Sequence, residues 1–536
     1  MKLTFLGATH EVTGSCFLLQ VNNKNIVIDC GMEQGKDIFE NTSIPVNPNE
    51  IDYVFLTHAH IDHSGKLPLL FSGGFRGKIF STEATADLCA IMLRDSAHIQ
   101  EAEAEWRSRK AKRSGENVYT PLYTIADAEE TIKLFKTYTY GQVAEICDGI
   151  TAKFIDAGHL LGSASILLSL TENGITKNIV FSGDIGNINK PILRDPQFIN
   201  EADYVVTEST YGNRSHGENP DYIKAFTEAI QETLDRGGNL VIPSFAVGRT
   251  QEILYFIRHI KENNLVHGHE GFPVYIDSPM AVESTKVFNQ NQLECFDEET
   301  KQLISKGINP LEFNGLNMSI TSDQSKAINF DKTPKVIISA SGMCEAGRIR
   351  HHLKHNLWRP ESTILFVGYQ SEGTLGRLLL DGEPEVKIFG ERIAVKAQIK
   401  NVAGVSGHAD DKGLLNWINS FSPKLQHVFV VHGDHESVEH YSKRLKNELS
   451  LNVTAPYSGE CWDLLNNKKI CNGIIKRIAD TKTAESTSAE YRKLLSAGDR
   501  LMSIIRQNKG SSNKIIFEFT SQINALCDKF KKKIKK

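Results

Sequence analysis

Between Leu56 and Gly65 the chain runs L-T-H-A-H-I-D-H-S-G, so His58, His60, Asp62 and His63 fall within six residues. Imidazole nitrogen and carboxylate oxygen are the usual ligand atoms of zinc and similar divalent cations. The cluster follows the apolar run Ile51 to Leu56, which has the character of a buried strand. In an extended segment side chains alternate, so His58 and His60 point to one side. Asp62 and His63 come where the strand gives way to a loop and can approach from another direction. This geometry suits two adjacent cations, one at His58 and His60 and the other at Asp62 and His63. The pattern predicts a metal site but no particular reaction.

Further ligand types stand at predicted strand ends. Ile26 to Ile28 delivers Asp29, either as a carboxylate that orients a ligand histidine from behind or as a turn-forming residue. His159 sits in the glycine-bracketed segment Ala157-Gly158-His159-Leu160-Leu161-Gly162, and Ile179 to Phe181 leads to Asp184. A carboxylate can span two cations with its two oxygens, and Asp184 is the residue chosen for that bridge.

The elements that must position these groups are legible as periodicity. Leu3–Leu6, Cys16–Val21 and Ile26–Ile28 are predicted strands, with 22–25 as a hairpin turn; Lys78–Ser81 is another strand. Helices are predicted over Thr85 to about Lys112 and Ile125 to about Thr137. Beyond Tyr204–Thr207 helices and strands alternate: Asp221–Leu234, Asn239–Pro243, Gly248–Glu262, Val274–Ile276, Val336–Ser339 and Thr363–Val367.

Composition narrows the class. The 536 residues, 40% hydrophobic and 24% charged, describe a globular protein of about three domains. A net charge of −4 supplies no global basic field, so nucleic-acid binding would need a local patch. Nine cysteines without a C-x-x-C pair argue against a disulfide framework and predict free thiols of a reducing compartment. No run of 18 apolar residues exists and the N-terminus lacks an apolar signal segment, so a cytoplasmic, membrane-free location is expected.

The order H-x-H-x-D-H, lone His159, strand-end Asp184 resembles the metallo-β-lactamase superfamily. T-H-A-H-I-D-H-S-G together with G-H-L-L-G-S-A is similar to its β-CASP branch, the RNA-processing nucleases related to the pre-mRNA 3′-end cleavage factor, over about residues 1–460. Three later signatures of that branch are matched by Glu208 in T-E-S-T-Y-G, His408 in V-S-G-H-A-D and His432 in V-F-V-V-H-G. The resemblance implies an α/β protein: a metallo-β-lactamase αββα sandwich over 1–207 and 393–457, an inserted α/β β-CASP cap over 208–392 and a C-terminal helical extension over 458–536. In the extension Tyr491, Leu494, Gly498, Leu501 and Ile505, then Phe519, Ile523, Leu526 and Phe530, keep helical spacing before a lysine-rich end. It serves as a dimerisation element, a basic tail for RNA phosphates or a solvated helix end.

The implied chemistry is hydrolysis of RNA phosphodiesters, on single strands, with two Zn2+ per chain. One zinc falls to His58, His60 and His159, the other to Asp62, His63 and His432, with Asp184 shared. His408 is the expected general acid, oriented by Glu208, and Asp62 the residue that helps orient the nucleophile. In the cap, Ser341, Gly342 and Arg348 lie in a glycine-rich turn that leads into a helix, where backbone amides can bind phosphate; a turn needing glycine for conformation accounts for it equally. Pro243 to Glu252 is assigned mainly to packing. Endonuclease action is expected, with 5′-exonuclease action as its variant. A small-substrate hydrolase, a non-catalytic RNA-binding subunit and a DNA nuclease are the competing readings.

Overall fold

The computed structural model describes residues 1–35, 39–114, 118–217, 220–402, 406–421 and 425–477, with 498, 501–502, 504–505, 508 and 512–534. They fall into two compact units, Met1–Lys476 and Arg477–Lys536.

In the first unit two sheets face each other. The order in one is Lys468–Cys471, Cys461–Asp463, Lys2–Gly7, Cys16–Val21, Lys24–Cys30, Tyr53–Phe55, Lys78–Thr82, Phe135–Tyr138. In the other it is Val453–Thr454, His427–Val430, Tyr204–Thr207, Ile175–Phe181, Ala164–Glu172, Ile150–Asp156, Val143–Cys147. Strand side chains alternate between faces, and the alternation builds three layers of core. Phe5, Phe17, Phe55, Phe154, Phe181 and Phe429 fill the space between the sheets. Each such ring, fully buried, contributes about 1.5–3 kcal/mol. Their neighbours in sequence point outward: Leu18, Val27 and Val54 join helix Glu83–Ser114, while Val180, Val205 and Val428 join helices Asp411–Asn419 and His435–Leu449. This is the expected αββα sandwich.

The cap has a third sheet, Leu316–Met318, Val274–Ile276, Val336–Ser339, Leu240–Pro243, Thr363–Val367, Gln398–Val402, with every pairing parallel. Parallel strands need crossovers and bury both faces. Ile242 and Ile338 accordingly face one core while Val241 and Ile337 face another.

The structure corrects several boundaries. Gln398–Val402 pairs with Thr363–Val367, so the cap sheet runs past 392 and the sandwich resumes only after Val402. Cys461–Asp463 pairs with Lys2–Gly7, so the sandwich runs past 457. The helix from Ile125 ends at Ile132, and Phe135–Tyr138 is a strand beside Lys78–Thr82. The hairpin turn is only Asn22 and Asn23, both at positive φ, a two-residue turn whose twist matches that of its strands. Asp184 lies three residues beyond its strand, after Gly183 at φ 56°, where a Cβ would fall 2.7 Å from that of Thr57.

The expectation of free thiols throughout also fails. Cys461 and Cys471 face each other on adjacent antiparallel strands, Cα atoms 4.8 Å apart, and form a disulfide. Sequence spacing could not show this, because the pairing depends on strand register. Cys16, Cys30, Cys89, Cys147, Cys295, Cys344 and Cys527 are free.

In the second unit Asn513–Ile534 is a helix, with Ile505, Ile516, Phe519 and Ile523 lining an open pocket. Tyr491, Leu494, Lys535 and Lys536 lie outside the described residues. No described helix is long and apolar enough to cross a membrane.

Candidate metal centre

Parallel pairing brings the distant ligands together. Ile175–Phe181, Tyr204–Thr207 and His427–Val430 run side by side, so Asp184, Glu208 and His432 emerge at one end of three neighbouring strands. On the facing sheet Lys24–Cys30 pairs in parallel with Tyr53–Phe55, which sets Asp29 beside Thr57 and His58. The short helix Ile61–Ser64 then turns Asp62 and His63 back toward the same point.

The donor atoms form two groups. His60 Nδ1 lies 3.0 Å from His58 Nε2 and 3.2 Å from His159 Nε2. His432 Nε2 lies 3.1 Å from His63 Nε2 and 3.4 Å from Asp62 Oδ2. Asp184 stands between them. Its Oδ2 is 3.3 Å from His58 Nε2 and 3.4 Å from His159 Nε2; its Oδ1 is 3.3 Å from His63 Nε2. Four ligand atoms about 2.0–2.2 Å from a tetrahedral zinc stand roughly 3.3–3.6 Å apart, close to these spacings. Asp184 Oδ1 is buried and has no hydrogen-bond partner among the described residues. Leaving such an atom unsatisfied costs about 1–3 kcal/mol, more for a charge, and a cation removes that cost. The residues present fit two cations.

Outer partners aim the rings. His63 Nδ1 lies 2.7 Å from Asp29 Oδ2, which also accepts from Thr57 Oγ1 at 2.8 Å. His159 Nδ1 donates to the Gly407 carbonyl at 3.1 Å, and His432 Nδ1 pairs with Thr210 Oγ1 at 3.1 Å. A ring whose outer nitrogen carries the proton turns its lone pair inward, where a metal needs it. Asp29, itself at φ 53°, therefore stands directly behind the His63 ring. Thr57 and Thr210 lie inside motifs quoted above, but nothing in their spacing marked them as partners.

Charge follows from burial and neighbours. Burial holds His58, His60 and His159 neutral, with His60 down at about 3. His63 is also pushed down by burial, but Asp184 and Asp29 on either side outweigh this and raise it well above its ordinary value. Its extra proton occupies the direction a cation would take. Against the upward pull of burial, His432 and His63 hold Asp62 below the usual carboxylate range.

Beside this centre His408 Nδ1 faces both carboxylate oxygens of Glu208, each at 3.2 Å. Glu208 is buried and fixed by the Ile185 amide at 2.5 Å. Burial lowers His408, but Glu208 and then Asp184 overcome it, and the ring stands at about 9. The side chain is 21% exposed, and its Nε2 lies on the ring edge away from Glu208. His216 Nε2, unmarked in the sequence, holds the His408 carbonyl at 3.0 Å.

The cap turn behaves differently. Arg348 donates to Asp277 Oδ1 at 2.7 Å and to the Ser319 and Ile320 carbonyls. The Ser341 amide and hydroxyl both bond to the Ala346 carbonyl, and Gly342 packs against Phe245, where a Cβ would lie 3.0 Å from the ring. The side-chain donors of Ser341 and Arg348, two residues expected at a phosphate, are thus engaged within the protein, Ser341 inside the turn and Arg348 with neighbouring segments. Asp277 and His352, which anchor this network at 2.6 Å, had no sequence signal beyond residue type.

Family models match the chain in three places: the metallo-beta-lactamase superfamily at 11–74, the Beta-Casp domain at 250–379 and the Zn-dependent metallo-hydrolase RNA specificity domain at 392–456. The chain is 36% identical to Ribonuclease TTHA0252 of Thermus thermophilus, over 82% of this chain and 94% of that protein. The chain belongs to the β-CASP branch of the metallo-β-lactamase superfamily. It is also 31% identical to the transcription termination factor FttA of Methanosarcina mazei, across 85% of this chain and 70% of that one. An RNase J-like protein of Methanocaldococcus jannaschii is 29% identical over 85% and 98%. Within this β-CASP chain the family models span residues 58–63, 408 and 432, while His159, Asp184 and Glu208 fall between them.

Proposed function

We propose that this chain is a two-zinc ribonuclease that cleaves single-stranded RNA internally, in a cytoplasmic setting of RNA processing or decay. The observation that carries the reading is Asp184, whose two oxygens face two separate sets of three ligands beside the Glu208–His408 pair. RNA as substrate draws on the relatives, named as a ribonuclease, an RNase J-like protein and a transcription termination factor.

His58, His60, His159 and Asp184 would hold one zinc; Asp62, His63, His432 and Asp184 the other. When bound, the pair would lower the pKa of water and offset charge on the phosphate oxygens. Everything else falls to the chain. Asp62 commits Oδ2 to its group and has Oδ1 to orient the attacking water. Glu208 fixes the His408 ring, keeps its Nδ1 protonated and favours the imidazolium. His408 then holds the second proton at Nε2 and delivers it to the leaving ribose oxygen. Buried neutral imidazoles present lone pairs rather than competing protons.

The test is cleavage of end-labelled RNA carrying either a 5′-triphosphate or a 5′-monophosphate, with and without chelator, beside matched single-stranded DNA. Internal products that ignore the 5′ group, need metal and do not form from DNA are expected. Mononucleotides released only from the monophosphate would replace internal cleavage with 5′-exonuclease action. No cleavage of either RNA would sink the enzyme.

A further inference from the structure

A second cluster of ligand types lies outside the catalytic centre. His10 comes from the loop after strand Lys2–Gly7, at φ 59° and fully buried. His435 opens the helix His435–Leu449, and Glu439 follows four residues later on the same helix face. One ligand atom from each of the three lies within 4.8 Å of the others.

The two imidazoles meet through like atoms, His10 Nδ1 and His435 Nδ1, at 3.0 Å. That equals the spacing of His58 and His60 in the catalytic group. Aromatic rings enclose the pair: Tyr457 stacks on His10 at 4.0 Å, and Phe39 stands 6.0 Å from His10 and 5.8 Å from His435. His10 Nε2, on the far side of the ring, is buried, and the ring also lies against the Ala455 backbone as a hydrogen-bond partner. The ring is therefore oriented by packing, by the Ala455 backbone and by what Nδ1 faces. Two imidazoles and one carboxylate from an i, i+4 helix pair and a facing loop are a donor set for zinc, with water free to complete it from the half-exposed helix side.

We propose that His10, His435 and Glu439 form a third zinc site, separate from the catalytic pair, that clamps the first loop of the chain to the helix following His432. The backbone already joins these segments. The His432 amide donates to the Ala8 carbonyl at 2.7 Å and the Gly433 amide to the Glu11 carbonyl at 3.0 Å. A cation held by His10 and His435 would lock both flanks of that short ladder, and with it the left-handed backbone at His432. Without a cation, one imidazole simply donates its N–H to the other.

The experiment compares the full wild-type chain with Glu439→Gln, His435→Gln and Asp184→Asn, each loaded with excess Zn2+, desalted and analysed for zinc per chain. Circular dichroism checks folding, and melting is followed with and without added zinc. Glu439→Gln and His435→Gln are each expected to hold one zinc fewer than wild type and to lose part of the zinc-dependent rise in Tm. Asp184→Asn is expected to retain about one zinc, bound at the third site. Equal zinc in wild type and both helix variants overturns the proposal and leaves a histidine hydrogen bond. Loss of more than one zinc from folded helix variants also overturns it, because the cluster would then be a prop of the catalytic pair.

Discussion

The strand-end cleft and the glycine-rich turn of the cap were both candidates to meet phosphate, and they treat their polar atoms in opposite ways. In the cleft, imidazole nitrogens crowd to within 3.0–3.2 Å of one another and Asp184 Oδ1 is left buried without a partner. In the turn, Ser341 bonds to Ala346 and Arg348 to Asp277 and two carbonyls. A fold that buries unsatisfied ligand atoms needs something from outside to satisfy them. In the turn the side-chain donors of Ser341 and Arg348 already have partners inside the protein.

Four substitutions break or sharpen that contrast. The largest effect is expected from Asp184→Asn, which weakens a ligand shared by both groups. RNA cleavage should fall by more than about 10³-fold, and the catalytic zinc should be lost on elemental analysis. A variant that kept both metals and full activity would remove the bridge. His408→Ala should lower turnover about 10²–10⁴-fold, the usual worth of a general acid, with zinc content unchanged. Loss of zinc instead would make His408 a ligand, a role open to it because its Nδ1 lies 4.0 Å from Asp184 Oδ2.

Asp29→Asn comes next. It replaces the carboxylate behind His63 by an amide and should weaken zinc binding about 10–100-fold in a chelator competition, with activity restored by added zinc. Smallest in catalysis is Arg348→Ala, expected to leave KM and turnover for RNA within about threefold. Its cost is to stability, since Asp277 loses one partner but keeps His352; a drop of roughly 1–3 kcal/mol should appear in denaturant unfolding. A raised KM with unchanged stability would restore Arg348 as a phosphate contact.

Much of the fold was legible because it is written in short-range periodicity. Val336–Ser339 and Thr363–Val367 match the predicted strands residue for residue, being short apolar runs between turn signals. Failures came where pairing with distant chain decides. Phe135–Thr137 continues a helical pattern in sequence, yet the open edge of Lys78–Thr82 recruits it as a strand. Cys461 and Cys471 are ten residues apart and meet only through register.

What the chain determined by itself was the set of ligand types: H-x-H-x-D-H is local, and all seven residues of the two donor groups are histidines or aspartates at or just beyond segments that hydrophobic patterning marks. Tertiary structure decided the rest. It chose Nδ1 for His60 and Nε2 for His58, because Thr57 takes the other nitrogen of His58 at 3.1 Å. It turned the two oxygens of Asp184 toward different partners and closed the cap turn on Arg348. The reason is physical: residue type fixes which atoms can bind, but only the packing of strands from residues 29, 184, 208 and 432 fixes which of those atoms are left facing inward.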